Sequence, residues 1–321
     1  MDQLRRTCPK HEGRAGWEGK YAEAEPLYAR SQAKRRRFYV GPEHPSLATT
    51  LNNRAGLLKS QGKYSEAEPL YERSQAIREK VLGPEHPDVA QSLDNRAGLL
   101  ESQGKYAEAE PLYERCQAIE EKVLGPEHPS LATTLNNRAL LLRKRGKCGE
   151  AEPLYERCQA IQETVLGPDH PDLATTFKNR AGLLRKQGKY GEAEPLYERC
   201  QAIQEKVLGP EHPSFASTLN SRAALLFRQV RAARIFREIS CGALIQLTTA
   251  WGCCACVPPH STPLGVTALT PVVIFLLLQG KYAEAEPLYE RCQAIQEKAL
   301  GPDHPSLATT LNNRAALLRS R

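Results

Sequence analysis

Histidine returns once in each copy of a repeated phrase, at His44, His86, His128, His170, His212 and His304, and a proline always follows it. Cysteine does the same at Cys116, Cys158, Cys200 and Cys292, always within Arg-Cys-Gln-Ala-Ile. Carboxylates recur in Glu-Ala-Glu. Imidazole and thiolate bind metals and form nucleophile–base pairs, and paired carboxylates do acid–base work. The spacing argues against each of these. A catalytic pair is needed once, whereas these residues come once per copy. Helices in neighbouring copies stack about 10 Å apart, too far for a shared metal or a disulfide. Ser31 and Ser74 replace cysteine in two copies, which marks a small-residue packing slot. The histidines read as structural loop residues along one edge. A denser group, Cys241, Cys253, Cys254, Cys256 and His260, holds a single C-x-x-C without a second pair, so no metal site is expected. No Gly-rich phosphate loop, H-E-x-x-H or G-x-S-x-G occurs. The residues predict no catalytic group, no metal and no cofactor, hence no enzyme.

The elements behind this pattern come from a period of 42 residues. Copies open at Gly19-Lys20-Tyr21, Gly62-Lys63-Tyr64, Gly104-Lys105-Tyr106, Gly146-Lys147-Cys148, Gly188-Lys189-Tyr190 and Gly280-Lys281-Tyr282. A fixed period in this range means a solenoid whose units stack only on their neighbours. Within one copy, Gly83-Pro84-Glu85-His86-Pro87 is a loop that no helix crosses, and Gln103-Gly104-Lys105 is a turn. Between them an A helix is predicted over about Asp88 to Gln103, with Asp88 as its N-cap, as Ser130 and Asp172 are in later copies. Val89, Leu93, Ala97 and Leu100 form its apolar stripe. A B helix follows over about Ala107 to Leu124, with Tyr106, Ala109, Tyr113, Cys116, Ile119 and Val123 as the stripe. Pro111, and its counterparts Pro69, Pro153, Pro195 and Pro287, should bend that helix slightly. The fold class read from this is all-α, a right-handed α-solenoid of helix-turn-helix hairpins.

The alternation Leu51, Ala55, Leu58, Gly62, Tyr64, Ala67, Tyr71, then Ser74, resembles the tetratricopeptide (TPR) signature. The 42-residue form, with its Leu-Gly-Pro-Glu-His-Pro loop and Leu-Asn-Asn in the A helix, is similar to kinesin light chain repeats. The likeness covers Gly19 to Gln229 and Gly280 to Arg321. Kinesin light chains carry a heptad region ahead of their repeats that binds the motor chain. Only about 18 residues without heptads stand before Gly19 here, so kinesin heavy chain is not an expected partner. The family usually has Leu where this chain has Arg54, Arg96, Arg138, Arg180, Arg222 and Arg314. Either these arginines pair with B-helix glutamates such as Glu66, Glu68 and Glu72 in a ladder, or they reach water.

The resemblance implies that the A helices line an inner wall and that an asparagine row, Asn53, Asn95, Asn137, Asn179 and Asn313 with Ser221 between, grips the backbone of an extended peptide. A carboxamide can both donate to and accept from a peptide unit. A second row is Asn52, Asp94, Asn136, Lys178, Asn220 and Asn312. Toward the helix ends stand Lys59, Glu101, Arg143, Lys144, Arg185, Lys186 and Arg228. Positive charge dominates from Arg143 to Arg228, which suits acidic peptides. Nucleic acid is not expected, because aromatic residues are not interleaved on that face. The functional expectation is a protein-interaction scaffold. Alternatives are the sensor repeats of a signalling nucleotide-binding ATPase and a gene-model fragment with no role of its own.

Four segments follow: residues 1–18 outside the repeats, 19–229 the array, 230–279 foreign, and 280–321 the resumed repeat and a final A helix. The foreign stretch, Val230 to Gln279, lacks the period and is expected to be poorly ordered. Its codons can begin with GT and end with AG after a pyrimidine tract, the marks of a retained intron. Its apolar part, Gly265 to Leu278, is too short to span a bilayer. The net charge is +7, with a local run at Lys34-Arg35-Arg36-Arg37. No apolar leader opens the chain, so a cytoplasmic location with reduced thiols is expected for its ten cysteines, and no membrane partner.

Overall fold

The computed structural model describes residues 24–31, 33, 43–230 and 264–319, with the backbone alone over 264–280. All regular structure among them is helical. After a helical stretch at 24–31 come α1 (Pro45–Ser60), α2 (Tyr64–Leu82), α3 (Pro87–Ser102), α4 (Tyr106–Val123), α5 (Pro129–Lys144), α6 (Cys148–Leu166), α7 (Pro171–Gln187) and α8 (Tyr190–Leu208). Then follow α9 (213–230), α10 (Leu264–Leu300) and α11 (Pro305–Arg319). Odd-numbered helices up to α11 are A helices. The chain forms two compact units, Met1–Leu183 and Leu184–Arg321.

The A helices start on histidine, not on the residue expected. The His86 Nδ1 accepts the Asp88 N–H at 3.1 Å, and His44 and His128 cap α1 and α5 in the same way. Pro87 then occupies the first helical position, where its fixed φ suits a helix and its missing N–H costs nothing. Asp88, Ser130 and Asp172 therefore lie inside the first turn. The histidine ring outcompetes them because Pro87 fixes the path just after it. The tautomer that serves as cap carries its proton on Nε2.

The A helix stops where glycine permits it. Gly104 sits at φ 79° and its N–H reaches Glu101 O, while the Lys105 N–H reaches back to Leu100 O at 2.9 Å. This paired closure satisfies two of the last carbonyls and turns the chain directly into the B helix. Pro111 lies inside α4 and is exposed, so its ring meets water rather than a neighbouring helix.

Within the first unit each hairpin shares its core with the next. Val89, Ala90 and Leu93 of α3 pack with Cys116 and Ile119 of α4, and Ala97, Leu100, Ala109 and Tyr113 close over Leu141 of the following A helix. Cys116 Sγ donates to Ala90 O at 3.2 Å, and Ser74 Oγ makes the same bond to Ala48 O at 2.7 Å. One slot thus accepts either residue because both bond one carbonyl. The described cysteines are free thiols. Burial pushes the Cys116 thiol up to about 12 and Cys158 up to about 11.

The family's leucine is replaced by an arginine that does form a ladder. Arg96 Nη2 donates to Glu72 at 2.5 Å and its Nη1 to Gln75 at 3.3 Å. Arg138 takes Glu114 and Gln117, and Arg180 takes Glu156 and Gln159. In the second unit Arg222 takes Glu198 and Gln201, and Arg314 takes Glu290 and Gln293. Lys122 clamps Glu85 across the loop of its own hairpin at 2.6 Å.

The second unit carries the interruption. Val230 closes α9 and is buried. Of the segment Val230 to Gln279, where poor order was expected, residues 264–279 are helical and 231–263 lie outside the described residues. α10 then runs unbroken through Gly280, where other copies turn. Yet the hairpin contacts are those of an uninterrupted array. Cys292 donates to Ala216 O across 76 positions, where Cys116 reaches Ala90 across 26. Lys298 holds Glu211 across 87, where Lys122 holds Glu85 across 37. Each contact is displaced in sequence by the same fifty residues and unchanged in kind.

Candidate functional site

The asparagine row stands on successive A helices, and in the first unit its members are linked. Asn95 Nδ2 donates to Asn52 Oδ1 at 3.0 Å, Asn137 Nδ2 to Asp94 at 3.0 Å, and Asn179 Nδ2 to Asn136 at 3.1 Å. In the second unit Asn313 Nδ2 reaches Asn220 at 3.3 Å. The first row thus donates to the second row of the preceding hairpin. Sequence reasoning named both rows but missed this bond. Half-buried and tethered through one N–H, each carboxamide has a fixed plane. The Oδ1 of Asn95, Asn137 and Asn179 accepts nothing among the described residues. Asn53 stands at the same place on α1.

Beside this row lies a charged cluster to which sequence reasoning assigned no role. Lys59, Asp94 and Glu101 meet between α1 and α3, and Tyr113 Oη donates to Glu101 at 3.3 Å. Burial lowers the Lys59 ammonium and the two carboxylates pull it back up. Burial likewise raises Asp94, opposed by its bond from Asn137 and by Lys59. Tyr71 is pushed up to about 12 by burial and then by Asp94. Acid facing base one repeat away was the available signal, at Lys59 against Glu101.

The basic residues divide. Lys144 Nζ sits 2.7 Å from Glu101 and 5.9 Å from the centre of the Tyr106 ring. Arg143 Nη1 donates to the Asn179 carbonyl at 3.1 Å, linking α5 to α7. Lys178 is half-buried on α7 in the row of Asp94 and Asn136. Arg185 is half-buried, while Lys186 and Arg228 are exposed, and all three belong to the second unit. Side chains vary here more than anywhere else among the copies. The slot of Lys59 holds Glu101, Arg143, Arg185 and Phe227 in later copies, and that of Ser60 holds Ser102, Lys144, Lys186 and Arg228. The outer seams, by contrast, keep arginine against glutamate and glutamine at Arg96, Arg138, Arg180, Arg222 and Arg314. Variation this concentrated, where packing asks for nothing in particular, marks a face free to be specialised.

No group of His, Cys, Asp and Glu among the described residues is arranged to hold a metal. No described helix is long and apolar enough to cross a membrane.

A family model described as tetratricopeptide repeat matches residues 15–80, 46–122, 88–164, 130–193, 172–237 and 266–321. The chain belongs to the tetratricopeptide repeat family. Among solved structures, the putative kinesin light chain of Podosopora anserina, with nearly identical TPR-like repeats, is 27% identical, covering 80% of this chain and 97–98% of that one at a TM-score of 0.55–0.56. BtubC (BKLC) from P. vanneervenii is 21% identical over 75% of this chain and 96% of its own, with a TM-score of 0.57. The apo form of RapI is 11% identical over 94% and 91%, with a TM-score of 0.56. These last two share the fold alone. No curated protein matches. The TPR copies here are thus similar to those of the putative kinesin light chain, in the helical repeat class expected from the sequence.

Proposed function

We infer that this TPR protein is a non-enzymatic scaffold that holds an extended acidic peptide along the asparagine face of α3, α5 and α7. The observation that carries the reading is the tethered row itself. Asn95, Asn137 and Asn179 are each fixed through one N–H, with an acceptor oxygen that meets no donor among the described residues. A backbone N–H of an extended chain is the complementary group, and a preset acceptor costs little to engage. Peptide sequence is then read by the neighbouring variable slots. Near α3 the charges of Lys59 and Lys144 are met by Asp94 and Glu101. Beyond it Arg143 and Lys178 place positive charge beside the asparagine row, so the face favours acidic side chains toward α7. Arg185, Lys186 and Arg228 add the same sign on the second unit. A cytoplasmic setting suits such a scaffold.

The test is peptide binding measured over a salt series. Replacing Asn137 and Asn179 by Ala should weaken acidic and neutral peptides alike, by about 0.5–1.5 kcal/mol per bond lost. Changing Lys178 to Glu should weaken acidic peptides alone and flatten the salt dependence. A peptide library that returns no acidic preference removes the charge assignment. Binding indifferent to both asparagines removes the face.

A further inference from the structure

One tyrosine recurs in the B helices, and its hydroxyl fares differently from copy to copy. In α4, Tyr113 Oη donates to the Glu101 carboxylate at 3.3 Å. Tyr155 holds the same place on α6 and is fully buried, yet its hydroxyl meets no hydrogen-bond partner. Two changes on α5 accompany this. Arg143 stands in the slot of Glu101, so the acceptor is lost and a cation takes its place. Leu140 stands in the slot of Gly56 and Gly98, where an added Cβ would come within 3.5 and 3.7 Å of the tyrosine hydroxyl. Glu101 itself is already held by Lys144 at 2.7 Å and by Tyr113. A buried donor left unpaired destabilises the fold and is a ready partner for an incoming acceptor.

The surroundings specify that acceptor. Burial pushes the Tyr155 hydroxyl well up and Arg143 acts against it, so the hydroxyl keeps its proton and the guanidinium lies within electrostatic reach. Arg143 is positioned in turn, its Nη1 donating to the Asn179 carbonyl at 3.1 Å. Asn137, Leu140 and Arg143 follow one another at steps of three on α5 and are all half-buried, so they share one face. A neutral donor beside a cation, with an aliphatic side chain between the cation and the asparagine row, suits a carboxylate on a short apolar stem.

We propose that Tyr155 and Arg143 form a carboxylate subsite for the bound peptide, in which the ligand supplies the acceptor that Glu101 supplies to Tyr113. The subsite rests on the peptide-binding reading above and adds a register to it, since a chain crossing Asn137 and Asn179 then places its acid at α5. Leu140 lies half-buried at the rim and changes rotamer to admit the group.

Binding of three synthetic peptides to the 321-residue chain tests this. They share one neutral extended sequence. The first carries a central Glu with both ends blocked, the second Gln in its place, and the third that Gln with a free C-terminal carboxylate. A carboxylate peptide should bind at least about tenfold tighter than the blocked Gln peptide. Tyr155→Phe should remove most of that difference and leave the blocked Gln peptide unchanged. It should also raise the melting temperature of the free chain, because an unpaired buried donor is gone. Opposite signs on stability and affinity separate a lost ligand contact from a damaged fold. Tyr113→Phe, whose partner is Glu101, should leave the selectivity as it was. A response of the first peptide to Tyr155→Phe assigns the carboxylate to a side chain, and a response of the third alone assigns it to a chain end; either supports the subsite. Peptides that bind with a selectivity indifferent to Tyr155→Phe overturn the subsite and leave the asparagine face standing. Peptides that do not bind at all overturn both.

Discussion

Gln229 and Lys281 both bind the carboxylate of Glu194, at 3.2 and 2.5 Å, although one follows it by 35 positions and the other by 87. In an uninterrupted copy Gln103 holds Glu68 across 35 positions and Lys147 holds Glu110 across 37. The turn residues of the last hairpin have thus met their usual acceptor on either side of a long excursion. Stacking geometry dictates this contact, and chain connectivity does not.

Joining Gln229 directly to Gly280 should therefore leave the last hairpin folded. Gly280 would leave its helix and take the positive φ seen at Gly104. Shortening the connection by this many residues saves closure entropy, so the shortened chain should be more stable by about 1–2 kcal/mol. Urea denaturation read by circular dichroism checks it. A shortened chain that loses the helicity of α10 and α11 sinks the idea.

Glu120 occupies a buried slot that holds Gln162, Gln204 and Gln296 in other copies. Burial raises its carboxyl above the ordinary glutamate range, against a bond from Thr134. A carboxyl raised by folding favours the native state at low pH, and that stability is lost as pH rises through the folded pKa. At neutral pH Glu120 therefore carries a cost. Glu120→Gln should stabilise by about 1 kcal/mol at pH 7, keeping the acceptor that Gln162 offers Thr176 at 2.7 Å. The gain should vanish on acidification below the ordinary carboxylate range. Thermal melts at both ends of that range decide it.

The imidazole caps predict an unusual substitution pattern. His86→Ala should cost about 1 kcal/mol and His86→Asn much less, since asparagine also caps well. Faster hydrogen exchange at the Asp88 amide in the alanine variant would confirm the bond. Equal losses for both would mean that the ring matters only for packing.

Arg138→Leu should change stability by less than about 1 kcal/mol. The pair with Glu114 is half in water and contributes little. The buried Arg138 Nε has no partner, and its removal offsets the loss. A destabilisation of several kcal/mol in chemical denaturation would show that the ladder holds the stack together.

The stripes on both helices were legible because burial follows helical period. Val89, Leu93, Ala97 and Leu100 are all buried, as are Ala109, Tyr113, Cys116 and Ile119. The small-residue slot was legible because two copies swap Ser for Cys. The histidine cap was not, since Asp and Ser dominate such positions and both stood two residues beyond. Val123 was placed on the stripe but is exposed, because the helix end projects past its neighbour. The asparagine rows could be named, but their mutual bonds depend on how adjacent A helices are rotated, which no local pattern encodes. Lys144 was read only as a member of the basic row for the same reason, its partner Glu101 lying one repeat away.

The buried thiol slot makes the array self-reporting. Cys116, Cys158, Cys200 and Cys292 occupy one position in four hairpins, each inert while its hairpin is closed. An alkylating reagent reaches such a sulfur only when its own hairpin opens, so labelling rates followed by peptide mass would measure local opening hairpin by hairpin. The molecule thus carries a ready-made ruler of where along its length unfolding begins.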